Sequence, residues 1–345
     1  MKRKIFFVFA LTFFTVGCIF SAPKKTEAAK GDMSVVQQID VSKLPHKTDD
    51  KNAPVVYFIR DISSAGMLKA YNALGWTPKG KTGVKISTGE PPASNYLRPA
   101  LLKETVQKVN GTIVESNTAY GGSRASNAMH RQVVKDHGFL EIADFDLLDE
   151  EGSEPIPVPG AKRLVKGDFV GTHFKNYGSY LVISHFKGHA MAGFGGAIKN
   201  LSIGFGSGQS TKESGKVYIH SGGKQTSGSI FGEQIPFLEA MGEAAKGVCQ
   251  YMDGGKNIAF INVLNRLSVD CDCDGNPAEP DMHDIGILAS LDPLAIDQAS
   301  IDMVYTAPDS ASLRQRIESR QGLHTLDYAA EINLGNRNYR LVEIK

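Results

Sequence analysis

Two histidines four apart, His185 and His189, end an apolar run of Leu181, Val182 and Ile183. A glycine-dense segment carrying Lys199 follows, and a second strand-like run closes on His220. Further along, Cys271-Asp-Cys273 offers two thiols at C-x-C spacing. Soft thiolates suit zinc or the iron of iron–sulfur clusters, and imidazoles complete such ligand sets. Cys271, Cys273, His185, His189 and His220 are therefore the candidate ligands of a transition metal or an iron–sulfur cluster. A bridge inside the C-x-C is expected to be too strained to form, and Cys249 paired with either thiol is the plainer alternative. The same segment also imitates a calcium loop. Asp270, Asp272 and Asp274 precede Gly275, with Asp281 at position twelve, although Pro277 and Pro280 interrupt the run.

Two loops after strand-like runs have the chemistry to hold an anion. One is Thr88-Gly-Glu90-Pro; the other is Asn117-Thr-Ala-Tyr120-Gly-Gly-Ser-Arg124 before a helix. Glycines with a serine and an arginine at a helix start can present amides and a guanidinium to a small anionic molecule. Glu90, Asn117, Tyr120 and Arg124 are the candidate substrate-binding residues, with a surface turn and a capping serine as the plainer alternative. Lys199, His189 and Asp297 are the candidate catalytic groups. Asp297 sits on an otherwise apolar helix face, where a carboxylate is costly unless paired; it is expected to orient a histidine or Lys199. Asp292, just before Pro293, reads as a helix N-cap. Gly75-Trp-Thr-Pro-Lys-Gly80-Lys81-Thr82 matches a phosphate-loop string letter for letter, but a helix precedes it and a strand follows, the reverse of what phosphate binding needs.

These residues must be placed by a framework, and the pattern supplies one. Strand-like runs at 55–59, 84–86, 112–114, 141–148, 164–173, 181–183, 258–264, 285–288 and 339–344 alternate with helical runs. The helices fall at 64–74, 99–109, 125–136, 233–252, 293–305 and 310–320. Such alternation predicts an α/β fold, a doubly wound and mostly parallel sheet with helices on both faces. An acidic, proline-rich break over 150–160 divides candidate sub-lobes 53–150 and 161–345. Residues 30–52 are polar and without period, as in a flexible tether.

The 345 residues carry a net charge of +1, 41% hydrophobic and 22% charged residues. Nothing in that balance calls for nucleic acid. Met1-Lys-Arg-Lys4 and the apolar run at 5–16 read as an export signal within residues 1–29. Thr15-Val-Gly-Cys18 resembles a lipobox, so the expected location is the cell envelope, as a lipoprotein attached only through an N-terminal lipid, or else the periplasmic or extracellular space.

The strings H-F-K-G-H-x-x-A-G-F-G-G-A-x-K-N, C-D-C, D-I-G-I-L-A-S-x-D-P-x-A-I-D-Q-A and N-T-A-Y-G-G-x-R together resemble one family. It is the bacterial and archaeal domain of unknown function 362, whose members are often labelled iron–sulfur centre proteins. The resemblance covers most of residues 54–306. It implies a metal or cluster site, yet the ferredoxin module many members insert after the long helix is missing, because 247–256 leads straight into the 258–264 strand. The cysteine that members often show after the K-N-L run is also absent, where this chain reads Ile203-Gly-Phe-Gly-Ser. Cys271 and Cys273 then remain as the thiolate pair. The combined expectation is an exported metal- or iron–sulfur-binding protein, its chemistry redox or metal-assisted proton abstraction, with a small anionic molecule or a redox protein as partner. The alternatives are a non-enzymatic solute-binding envelope lipoprotein and a calcium-stabilised binding domain.

Overall fold

The structure of the protein is a computed structural model that describes residues 32–208, 214–224 and 232–345. The expected export segment lies outside the described residues. Among those described, no helix is long and apolar enough to cross a membrane.

The first half contributes β1 (Val55–Ile59), α1 (Ser64–Ala73), β2 (Thr82–Lys85), α2 (Pro99–Lys108), β3 (Gly111–Glu115), α3 (Asn127–Asp136) and β4 (Phe145–Leu147). A ribbon of β5 (Ser153–Ile156) and β6 (Asp168–Gly171) follows. Next come β7 (Ser179–His185), a second ribbon of β8 (Lys187–His189) and β9 (Gly193–Gly195), and three helices: α4 (Ala197–Ser202), α5 (Gly215–His220) and α6 (Gln234–Tyr251). The chain closes with β10 (Ile258–Leu264), β11 (Gly286–Ser290), α7 (Pro293–Thr306), α8 (Ala311–Ser319), α9 (His324–Glu331) and β12 (Arg340–Glu343).

Eight strands form one sheet in the order β12-β1-β11-β10-β7-β2-β3-β4. β11 runs antiparallel to both of its neighbours, and every other pairing in this sheet is parallel. Side chains alternate between the two faces of a strand. Tyr180 and Val182 of β7 therefore enter one core with α4, α6 and α7, while Leu181 and Ile183 enter another with α1 and α2. A strand buried on both faces reads as a nearly continuous apolar run, which is why β7 and β10, the latter interrupted only by Asn262, were visible in the sequence.

Ser63 caps α1 by accepting from the Gly66 amide, and Asp292 caps α7 by accepting from the Leu294 and Ala295 amides. Other expectations need correction. The run that closes on His220 is helix α5. Its β-branched residues favour a strand only weakly, and capping by Ser214 with burial of Tyr218 and Ile219 decides otherwise. The 141–148 run shortens to β4 behind a 3-10 turn at Phe139–Glu141. Described residues of the expected tether are packed: Ile39 and Leu44 are buried in the main core, and Lys47 bridges to Tyr339. Asp32–Lys345 form one compact unit, whose main sheet interleaves strands from both sides of the 150–160 segment.

One consequence of the strand order places the site. β2, β3 and β4 add outward in one direction, whereas β7 and β10 add on the other side of β2. In such a sheet, ligands bind beyond the carboxyl ends of the strands where the order reverses. Here that point lies between β2 and β7.

Candidate functional site

Loops at the carboxyl ends of β2, β3, β7 and β10 enclose a cavity of about 70 Å³ at the switch point. A buried water needs about 10–15 Å³ on this measure, so the space holds about five waters or one small anion. Its walls carry the basic side chains Lys85, Lys187, Lys199, Lys216 and Arg124, with His185, against the carboxylates Glu115 and Asp272. Tyr120, Cys271 and Cys273 also line a wider depression of about 480 Å³ beside it, with His189, Met191 and His220.

Each cation is held differently. Lys85 is the last residue of β2; its Nζ donates to Ile86 O at 2.6 Å and to Asn200 Oδ1 at 3.1 Å. Burial pulls its pKa down to about 7, with Glu115 opposing and Lys216 reinforcing the shift. Lys216, on α5, donates to Gly206 O at 2.6 Å; burial lowers it to about 8 against the pull of Asp149 and Glu115. Lys187 pairs with Asp272 Oδ2 at 2.8 Å. Among the described residues, Lys199 has no hydrogen-bond or ion-pair partner for its amine. Burial, then the charge of Lys187, brings it to about 7. Lys187 and Lys199 flank Gly195, where an added Cβ would lie 3.5 Å from Lys199 Cδ and 3.9 Å from Lys187 Nζ.

Arg124 is fixed by two carboxylates, donating from Nε to Glu90 at 3.2 Å and from Nη1 to Glu115 at 3.0 Å. Burial alone would raise Glu115, but the Arg124 charge and the hydrogen bond donated by His130 outweigh it and hold the carboxyl well below its usual range. Glu90 also accepts from the Ser123 amide and so shapes the Gly121-Gly122 turn, where both glycines have positive φ. Burial likewise works against Asp272, and the charges of His185 and Lys187 overcome it.

The expected metal ligands are only partly brought together. His189, Cys271 and Cys273 place their ligand atoms within 4.8 Å of one another, a spacing that allows a transition metal. However, Cys271 and Cys273 are joined as a disulfide, the bridge judged too strained from spacing; their Cα atoms lie 5.3 Å apart, inside the usual disulfide range. His189 Nδ1 accepts from the Met191 and Ala192 amides, so the proton of the neutral ring sits on Nε2, 3.9 Å from Cys273 Sγ. Burial, then Lys199, keeps that ring neutral. A metal there requires reduction of the disulfide and loss of the Nε2 proton. Among the described residues, two thiols and one imidazole fall short of the four protein ligands that an iron–sulfur cluster takes; the free Cys249 is buried in the main core.

His185 and His220 do not join this group. Both nitrogens of His185 are engaged, by Asp272 Oδ1 at 2.8 Å and Asn265 O at 2.7 Å. His220 stacks on Phe237, donates from Nδ1 to Lys216 O at 2.7 Å, and is lowered by burial to about 4. The calcium-like carboxylates turn apart. Asp270 takes Arg316, Asp272 takes His185 and Lys187, and Asp281 accepts from Ser312.

Asp297 does not orient a histidine or a lysine directly. It accepts from the Ala197 and Ile198 amides at the start of α4 and from Asn262, while burial raises it to about 6. A Cβ at Gly196 would sit 2.8 Å from its Cγ, so only glycine admits this contact. Through that cap it positions α4, which carries Lys199 and Asn200. Asn117 lies outside the cavity wall; it is spent on Asp149, Asn127 and His130. Tyr120, 41% exposed, meets the His220 ring edge-on at 5.8 Å and stands on the wall shared by both cavities. Sequence reading missed Lys85, Lys187, Lys216 and Glu115 as site residues. The signal was the one that exposed Asp297: a lone charge inside an apolar run, as in Val84-Lys85-Ile86.

Residues 82–302 match the family model described as Domain of unknown function (DUF362). No curated protein matches the chain. Among solved structures, the chain is similar to the lactate racemase apoprotein from Thermoanaerobacterium thermosaccharolyticum, with 15% identity and a TM-score of 0.42 over 72% of this chain and 56% of that one. It is also similar to a protein from Thermotoga maritima, with 11% identity and a TM-score of 0.37 over 78% of this chain and 58% of that one. The chain thus spans less than two thirds of the length of either structure.

Proposed function

We infer that this chain, which belongs to the DUF362 family, captures a small organic anion in the switch-point cavity and acts on it by proton transfer. The observation that carries this reading is the convergence of five lysine and arginine side chains on a space lined by only two carboxylates. Arg124 is locked in place and offers a fixed positive charge. Lys85 and Lys199, brought to about 7, are shared between charged and neutral forms near neutral pH. A group poised there serves as a general base toward a C–H made acidic by a neighbouring carboxylate or carbonyl. The test is titration calorimetry with oxalate. Saturable binding that weakens with salt, and at least tenfold in Lys199→Met, supports the reading; no binding by the folded protein removes it.

A second reading rests on the His189, Cys271 and Cys273 group. Once reduced, these residues would hold a soft divalent metal such as zinc, which would supply Lewis-acid polarisation at the mouth of the cavity. Zinc titration before and after reduction separates the two states. Uptake only by the reduced protein, with proton release, favours this reading; equal uptake by both forms, or by neither, rejects it. Export belongs to the proposal on the strength of Met1-Lys-Arg-Lys4 and the apolar 5–16 run. A disulfide is at home in an oxidising compartment, and fractionation of cells expressing the full chain tests the location.

A further inference from the structure

The four cavity lysines are not equivalent. Lys85 is spent on Ile86 O and Asn200, Lys187 on Asp272, and Lys216 on Gly206 O. Among the described residues the Lys199 amine alone of these four has no partner, yet it lines the cavity. Its stem runs beside that of Lys187 across Gly195, a position without a side chain to separate them. An unpartnered amine on a cavity wall, crowded by other basic groups, is the arrangement that turns lysine into a nucleophile.

We propose that Lys199 forms a covalent imine with the carbonyl group of a 2-oxo acid whose carboxylate is held by the surrounding cations. This rests on the anion-binding reading and names its substrate class. The neutral amine adds to the carbonyl carbon, making the C–N bond, and one N–H proton passes to the former carbonyl oxygen. The resulting hydroxyl departs as water with a proton from a neighbouring ammonium, Lys187 being the adjacent one, and leaves a protonated imine. No oxidant or reductant is consumed. The lowered pKa of Lys199, with burial as its main cause, keeps a large share of the amine neutral near pH 7. The wider depression past Tyr120 and the disulfide would receive the rest of the substrate.

The experiment incubates the full chain with pyruvate and sodium cyanoborohydride, then reads intact mass and peptide maps, with oxalate affinity measured on the same preparation. A single reduced adduct mapping to Lys199, slowed by oxalate and lost in Lys199→Arg, is the expected result. The wild-type map stands without the variant, and Lys199→Met provides a second substitution should the arginine not fold. Oxalate binding with no adduct, or with adducts scattered over surface lysines, overturns the covalent step but not the anion site. Failure of both oxalate binding and trapping overturns the two together.

Discussion

Two charges in this molecule receive opposite treatment, one buried and the other half-buried on a cavity wall. Glu243 on α6 accepts from the amides of Lys162, Arg163 and Leu164 and from the Tyr328 hydroxyl, all within 3.1 Å. The group pins the 162–164 segment onto α6. Lys199 is the reverse case: an amine without a partner among the described residues, set beside like charges on a cavity. Burial of a charge costs free energy wherever it occurs. Where the protein supplies the compensation the charge is structural, and where it does not, water or a ligand must supply it.

The comparison breaks first at its largest expected effect. Glu243→Ala leaves several buried donors unmet and is expected to lose about 3 kcal/mol in urea unfolding while oxalate affinity holds. An equal loss from Lys199→Met would erase the distinction. That variant instead removes an uncompensated cation, so its stability should match or exceed wild type while oxalate binds at least tenfold more weakly, about 1.4 kcal/mol.

The lysines also predict a pH dependence. A lysine whose pKa is lowered on folding is charged in both states below the folded value, and the burial penalty is then fully present. Between about 7 or 8 and the unfolded value near 10.5, only the unfolded chain holds the proton. Stability should therefore rise from pH 7.5 to 9.5, by at most about 1.4 kcal/mol per pH unit for each lysine so shifted. A flat urea midpoint over that window would contradict the shifts. The smallest effect is expected from the disulfide: Cys271→Ser with Cys273→Ser should change oxalate affinity less than twofold and stability by under about 2 kcal/mol, since the closed loop is so short. A large loss of oxalate binding would move the centre of the site toward His189.

The scaffold was legible where a single pattern decides it. β7 and β10 announce themselves by nearly continuous apolar runs, and α1, α2 and α7 by caps and prolines. α5 was misread because six residues carry too little period against the pull of tertiary burial, and α9 was passed over. The site was half legible. Lys199, Arg124 and Tyr120 were found from glycine-rich loops, and all three line the cavity. His185 and His220 were grouped by residue type alone; His185 has both ring nitrogens engaged, by Asp272 and Asn265 O, and His220 lies outside the His189, Cys271 and Cys273 group. Which thiol meets which imidazole is set by loops that no local pattern encodes.

The most direct measurement is the proton balance of oxalate binding at pH 8, by calorimetry in two buffers of different ionisation enthalpy. An anion seated among partly neutral lysines raises their pKa values, so the account predicts net proton uptake, diminished in Lys199→Met. Binding without uptake, or with proton release, would show that the buried lysines do not face the ligand and would contradict the assignment of the cavity.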